Sequence, residues 1–363
     1  MESVVSVSSV EAFGRYAGTR VLVTGHSGFK GTWLSSWLVD LGADVAGFSL
    51  PEDHDPSNVI GSTDLGKHMR EMFGDVRNVG AIRSAFETSR PEIVIHMAAQ
   101  ALVRPSYADP VGTISTNVMG TINVLDTARR SPSVNAVLAV ASDKCYENPN
   151  DGRAHVETDP MGGSDPYSAS KGAAEILTTS FRRSFYDKPD GPLLASVRAG
   201  NVLGAGDASQ DRIVPDVIKT IRSGDNIVLR NPGAIRPWQH VLEPLRGYLL
   251  LGSHLLAGDR SKTGSWNVGP TPDGAVTVAE LVRMMVKTWG LSTEIRTSTE
   301  EGPPEMDFLR LDTSKARDQL GFVPYLRIQD TIDFVVDGYR SLLCGESLDS
   351  IIHRQTTSYM ELG

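Results

Sequence analysis

Tyr167 and Lys171 stand four residues apart in the run YSASK, a spacing that puts phenol and ammonium on one face of a helix. A cation beside a phenol favours its ionised form. Because a free phenol titrates near 10, work as a base near neutrality requires a drop of about three units, or roughly 4 kcal/mol of differential stabilisation. Upstream, the apolar run NAVLAVA ends at Ser142-Asp143-Lys144, so a hydroxyl, a carboxyl and a second ammonium leave the carboxyl end of a predicted strand. A tyrosine four before a lysine also arises by chance, and the pair gains its meaning from a glycine-rich loop nearer the amino terminus.

That loop is Thr24-Gly25-His26-Ser27-Gly28-Phe29-Lys30-Gly31, entered directly from a predicted strand and leading into an apolar helix near Trp33. Bare backbone N–H groups at a helix amino terminus can face a pyrophosphate. Gly25, His26, Gly28, Phe29, Lys30 and Gly31 are therefore candidate dinucleotide contacts; the alternative is a plain glycine-rich turn. Lys30 reads either as a phosphate partner or as a solvated surface cation. After a predicted third strand, Asp75 in Gly74-Asp75-Val76 meets an adenine amine or is an ordinary turn residue. The end of the second strand, where an acid can hold the ribose 2′-hydroxyl, runs Ala46 to Pro51 with Glu52 and Asp53 as the nearest acids, and separates NAD from its phosphate only weakly.

These groups require a scaffold that brings strand ends together. Between residues 19 and 202, short apolar runs at 20–24, 44–49, 93–97, 135–141 and 194–198 alternate with helical-period segments, the pattern of parallel strands joined by crossover helices. Residues 109–130 place Val111, Ile114, Val118, Ile122 and Leu125 on one helical face, and 166–185 is helical too. Beyond 202, residues 212–223 and 276–289 read as helices, 226–230 as a short strand and Pro303-Pro304 as a break. The fold class is α/β: a Rossmann-type doubly wound parallel sheet with a smaller C-terminal substrate-binding domain. The dinucleotide domain takes 15–202 with a return segment at about 236–268, the substrate domain 203–235 and 269–345, and 346–363 is a C-terminal tail.

Composition narrows the function. Of 363 residues, 40% are hydrophobic and 22% charged, as in ordinary globular proteins. Acidic residues exceed basic ones, 44 to 35, and the net charge of −9 with no basic run argues against nucleic acid or an anionic membrane as a partner. Cys145 and Cys344 match neither a zinc spacing nor a disulfide framework, so no metal and a reducing compartment are expected. Neither a signal-like amino terminus nor an 18-residue apolar stretch is visible, which predicts a cytoplasmic protein.

Taken in order, TGHSGFKG, HMAAQ (96–100), Asn117 within NVMGT, SDKCY (142–146), YSASK and RAGNVLG (198–204) resemble the extended short-chain dehydrogenase/reductase superfamily. The runs MAAQALVRPSY (97–107), MGGSDPYSASKG (161–172) and RNPGAIRPWQHVLEPLRGY (230–248) are most similar to its CDP-glucose 4,6-dehydratases, over about residues 18–345.

The resemblance implies a lyase that forms CDP-4-keto-6-deoxyglucose and water through an internal NAD hydride cycle. Tyr167 would take the proton of the sugar 4-hydroxyl, with Lys171 as its pKa modifier and ribose anchor. Ser142 would orient that hydroxyl, and Asp143 would protonate the departing 6-hydroxyl. Val76, Ala98, Ala99 and Asn117 would join the glycine loop, Asp75, Tyr167 and Lys171 around NAD. Gln100, Arg104, Asn201, Arg236 and Arg310 would hold the sugar nucleotide, Arg236 best suited to the diphosphate because a planar guanidinium meets two phosphate oxygens together. Asn201 is equally readable as a loop tie. Trp238 and His240 receive no role. Position 144 departs from dehydratases of other nucleotides, which place glutamate there: Lys144 is either the carbon 5 base or a group that neutralises Asp143 or steadies the enolate. Two further readings stay open, an epimerase or dehydratase for another nucleotide sugar and a non-catalytic dinucleotide-binding regulator. The resemblance also implies a homodimer in which helices 109–130 and 166–185 pair as a four-helix bundle.

Overall fold

The computed structural model describes residues 9–51, 59–209, 211–298 and 308–363. Twelve strands form among them. In chain order they are β1 (Arg20–Thr24), β2 (Asp44–Ser49), β3 (Arg70–Phe73), β4 (Ile93–His96), β5 (Ala136–Val140), β6 (Leu193–Ala199), β7 (Asn201–Leu203), β8 (Ile227–Leu229), β9 (Ile235–His240), β10 (Gly264–Val268), β11 (Ala275–Thr277) and β12 (Ile295–Thr297).

The central strands are short, apolar and buried on both faces, which suits a parallel sheet covered by helices. Seven of them pair in the order β10-β6-β5-β4-β1-β2-β3, all parallel. Strand order reverses between β1 and β4, where Thr24 lies in register with His96. Crevices open at the carboxyl ends of strands at such a reversal. Gly25 and Met97 leave the sheet side by side there, with Met97 N–H donating to Thr24 O at 3.1 Å.

One hydrophobic cluster packs Trp33, Trp37, Leu38, Leu245, Leu249 and Trp266 beneath the sheet, and another fills its opposite face around Leu22, Ile82, Val94, Leu125 and Val137. A third lies apart, joining Val214, Val217 and Ile218 to Leu281, Met285, Ile332 and Val335. Two small sheets, β11-β9-β7 and β12-β8, contribute to that cluster, Trp238 from β9 and Ile227 and Leu229 from β8.

The helix predicted over 109–130 forms with one irregularity. Pro110–Ile114 and Gly120–Ala128 are α-helical, and Ser115–Met119 between them is a π turn. A π turn adds a residue to one turn and shifts the phase of the faces. The expected single apolar face is thereby split: Val118 and Leu125 are buried, whereas Val111 is 76% exposed and Ile114 47%. A second π turn, Arg182–Tyr186, ends the helix Pro166–Phe181. The segment 346–363, expected as a tail, carries the helix Leu348–Met360. Its face Leu348, Ile351, Ile352 and Tyr359 joins the core, and Tyr359 meets Trp37 edge-on with ring centroids 6.1 Å apart. Pro303-Pro304, Glu52 and Asp53 lie outside the described residues.

Candidate active site

The glycine loop obtains its shape from positions where no side chain fits. Gly25 has φ 77°, and a Cβ there would stand 2.8 Å from the Ala98 nitrogen; a Cβ on Gly31 would stand 2.0 Å from the Gly25 carbonyl oxygen. The helix Phe29–Asp40 therefore begins hard against β1, with Gly28 as an N-cap that offers no side-chain hydrogen bond. Its first N–H groups remain for a ligand. They border a cavity of about 810 Å³ that runs along the carboxyl ends of the strands. Dimensions and donors both fit a dinucleotide.

Most of the predicted residues share this cavity. Gly25, Gly28, Phe29, Lys30 and Gly31 line it with Asp75, Val76, Ala98, Ala99 and Gln100; so do Ser142, Asp143, Lys144, Tyr167, Lys171, Arg104, Asn201 and Arg236. Three predicted contacts do not. His26 is fully buried behind the loop, with Nδ1 2.8 Å from Ser49 Oγ and Nε2 3.1 Å from Glu71 Oε1. Asn117 is buried in the π turn, accepting from Gln100 N–H at 2.8 Å and donating to Ser170 Oγ at 2.8 Å. Both brace the loops that line the cavity. Arg310 is outside the lining, and its carbonyl accepts from His155 N–H at 2.8 Å. Gln100 spends its amide on Leu102 and Thr113, and Asp75 is ion-paired with Arg77 at 2.5 Å.

Local structure aims the reacting groups. Asp165 caps the helix Pro166–Phe181 by accepting from Ser168 N–H at 2.9 Å, and Pro166 supplies the fixed φ of a first helical position. Tyr167 follows at once and faces the cavity. Burial pushes its phenol up to about 12, opposite to the fall that the Tyr167–Lys171 spacing predicts, because desolvation of the phenolate outweighs the pull of the Ser142 hydroxyl and the Arg212 charge, with Asp143 and Asp165 opposing them. Burial brings Lys171, one turn on, down to about 8. After β5, Asp143–Cys145 forms a short 3₁₀ turn capped by Ser142. The Ser142 hydroxyl donates to Asp143 Oδ1 at 2.9 Å, and Asp143 Oδ2 has no hydrogen-bond partner. Burial raises the Asp143 carboxyl above the usual carboxylate range, against the pull of Lys144, Ser142 and Arg236. Such a carboxyl is suited to hold a proton and give it up.

Lys30 is not a solvated surface cation: it lines the cavity beside the glycine loop. Its Nζ donates to Tyr248 Oη at 2.7 Å and lies 5.0 Å from the centre of that ring. Burial, with the charges of Arg212 and Lys171, brings it down to about 7. The site also gains groups that spacing did not reveal: Arg212, 3.6 Å from Asp207, and the Asp211–Arg230 pair, all on the wall contributed from beyond residue 202. Arg212 opens the helix predicted over 212–223 and is the N-cap of the observed one, Ile213–Ser223; a cation at that position was the available signal.

Residues 21–269 match the NAD dependent epimerase/dehydratase family. The chain belongs to that family. It is an NAD-dependent enzyme, and the cradle of Gly25, Gly28 and Gly31 fits the family's cofactor. A CDP-glucose 4,6-dehydratase of Salmonella typhimurium is 42% identical over 351 residues, covering 95% of this chain and 97% of the relative. Among solved structures, the UDP-glucose 4-epimerase of Thermus thermophilus in complex with NAD is 26% identical, with a TM-score of 0.75 over 89% of this chain and 99% of the other. The dTDP-glucose 4,6-dehydratase DesIV of Streptomyces venezuelae, with NAD and TYD bound, has a TM-score of 0.77 over 89% of this chain and 97% of the other; at 22% identity it attests the shared fold. Among the described residues of this family member, no group of metal-binding side chains occurs and no helix is long and apolar enough to cross a membrane.

Proposed function

We propose that this enzyme removes water from CDP-glucose to give CDP-4-keto-6-deoxyglucose. The observation that carries the reading is Asp143: a carboxyl raised by burial, with one oxygen unpartnered, on the same cavity wall as Tyr167 and beside Lys144. A 4-epimerase has no leaving hydroxyl and no need of such an acid. The near full-length likeness to a CDP-glucose 4,6-dehydratase supports the same reading.

NAD, when bound, supplies a reversible acceptor for the hydrogen of sugar carbon 4, later returned at carbon 6. Tyr167, its phenolate favoured by the positive nicotinamide ring when NAD is bound, takes the proton of the 4-hydroxyl while Ser142 orients that hydroxyl. The resulting ketone acidifies the proton on carbon 5. Lys144 removes it, Asp143 gives its proton to the departing 6-hydroxyl, and a proton returns to carbon 5 from Lys144 or solvent as hydrogen is added at carbon 6. Lys171 anchors the cofactor ribose, and Arg236, buried on β9 and facing the cavity, holds the diphosphate. In this reading residues 15–202 with about 236–268 hold the dinucleotide and 203–235 with 269–345 the sugar nucleotide, although Ala316, Leu320, Phe322 and Leu326 of the latter pack in the core beneath the central sheet.

The enzyme acts as a homodimer through a four-helix bundle. Support comes from apolar side chains turned outward on the two adjacent helices: Val111, Ile114 and Met119 on one, Ile176 and Phe185 on the other. Two free cysteines are consistent with a reducing cytoplasm. The test of function is incubation of the purified protein and NAD with CDP-glucose, UDP-glucose and dTDP-glucose, followed by the ultraviolet absorbance of a 4-keto sugar in base and NMR of the product. A keto product from CDP-glucose is expected; turnover of only another nucleotide sugar, or of none, overturns the assignment. Light scattering tests the dimer.

A further inference from the structure

Arg104 and Arg230 reach the cavity from different elements, Arg104 on the short helix Val103–Ala108 and Arg230 just after β8. One carboxylate joins them. Asp211 Oδ1 lies 3.3 Å from Arg104 Nη1 and accepts a hydrogen bond from Arg230 Nη1 at 2.8 Å. All three line the cavity. Asp211 does this from a left-handed backbone, φ 59°, a conformation that among residues with side chains favours Asn and Asp. Two guanidinium groups against one carboxylate leave a positive excess on the cavity wall. Asp216, the other acid near the pair, is shifted by burial toward its neutral form. Asp211 Oδ1 engages a single Nη1 of each guanidinium, which draws the two cations together and leaves other N–H groups of each for phosphate oxygens.

We propose that Asp211 is a positioning residue that presents Arg104 and Arg230 as a two-arginine clamp for the diphosphate of the sugar nucleotide, beside Arg236. The inference rests on the nucleotide-sugar reading given above and extends it to a carboxylate that never touches the substrate.

The variant D211N keeps the side-chain volume and the tolerance of a left-handed backbone while removing the charge. In the NAD-loaded enzyme, titration calorimetry with CDP should give a Kd raised about tenfold, the loss of one charge-assisted restraint. KM for CDP-glucose should rise in parallel with kcat unchanged within about twofold, since binding and not the chemical step is altered. R230Q should produce a similar rise, and D211N/R230Q little more than either alone, because the two act as one unit. Affinity for NAD should stay constant. The proposal is overturned by an unchanged or lower Kd for CDP in D211N, by additive losses in the double variant, or by a loss confined to NAD. CDP, UDP and dTDP should weaken alike. If the unaltered enzyme prefers UDP or dTDP, the CDP-glucose assignment fails while the clamp stands; if it turns over CDP-glucose and D211N binds CDP normally, the clamp fails alone.

Discussion

Glu175 and Arg198 form an ion pair sealed from solvent, with side chains 2% and 3% exposed and Arg198 Nε donating to Glu175 Oε2 at 2.9 Å. Glu175 lies one helical turn beyond Lys171, and Arg198 also donates to Tyr146 Oη, next to the Asp143–Cys145 turn. The pair thus ties the helix of Tyr167 to the turn of Asp143. Removing one partner of a buried pair leaves an uncompensated charge and costs about 3–5 kcal/mol. Arg198→Met should lower stability by that amount in chemical denaturation, and Glu175→Gln should cost a comparable amount, because the amide still accepts hydrogen bonds but leaves the buried Arg198 charge uncompensated.

Asp143 and Lys144 divide the elimination between them under the proposed mechanism. Asp143→Asn should retain oxidation at carbon 4 but lose water elimination by about 10²–10⁴-fold, the worth of a positioned acid. Lys144→Met should abolish solvent deuterium incorporation at carbon 5. Undiminished exchange, read by NMR, would rule Lys144 out as the base and leave it as the partner of Asp143.

Tyr167→Phe should leave the fold and NAD binding intact and lower kcat by a similar factor of about 10²–10⁴. Calorimetry for NAD and steady-state kinetics on the same preparation check the two halves of that statement.

Gly31→Ala puts a methyl group 2.0 Å from the Gly25 carbonyl, so the helix start must move away from β1. Overpacking of this kind costs about 1–3 kcal/mol. Loss of NAD affinity larger than the loss of stability is expected, measured by calorimetry and thermal unfolding together.

His96 and His240 are buried neutral, each brought down to about 3 by burial, with Lys171 adding to the effect on His96. His96 is held by Thr24 Oγ1 at 2.7 Å and Thr121 Oγ1 at 3.1 Å. The unfolded chain binds protons at these rings below about pH 6.5 while the folded chain does not until about pH 3. Their stabilisation is complete above that upper value and falls as pH drops through the window, by about 1.4 kcal/mol per pH unit for each ring. His96→Gln should reduce the slope of unfolding free energy against pH by about one proton between roughly pH 6 and 4; an unchanged slope would show that this ring is charged in the fold.

The sequence by itself determined the parallel sheet, the glycine turn and the Tyr167–Lys171 helix, because each depends on local periodicity, on a residue without a Cβ, or on a spacing of four. It also carried the proposed catalytic set, since Ser142, Asp143 and Lys144 follow one apolar strand in a row. Tertiary structure alone decided what distant side chains do. His26 and Asn117 turn away from the cavity because buried polar groups found partners in Ser49, Glu71, Gln100 and Ser170. Lys30 went inward because Tyr248, 218 residues later, offered its hydroxyl. The helix Leu348–Met360 docks because Glu243 and Trp37 wait for Tyr359. Local patterns fix faces and turns over a few residues; the partner of a buried polar atom is chosen by three-dimensional packing, which spacing along the chain does not encode.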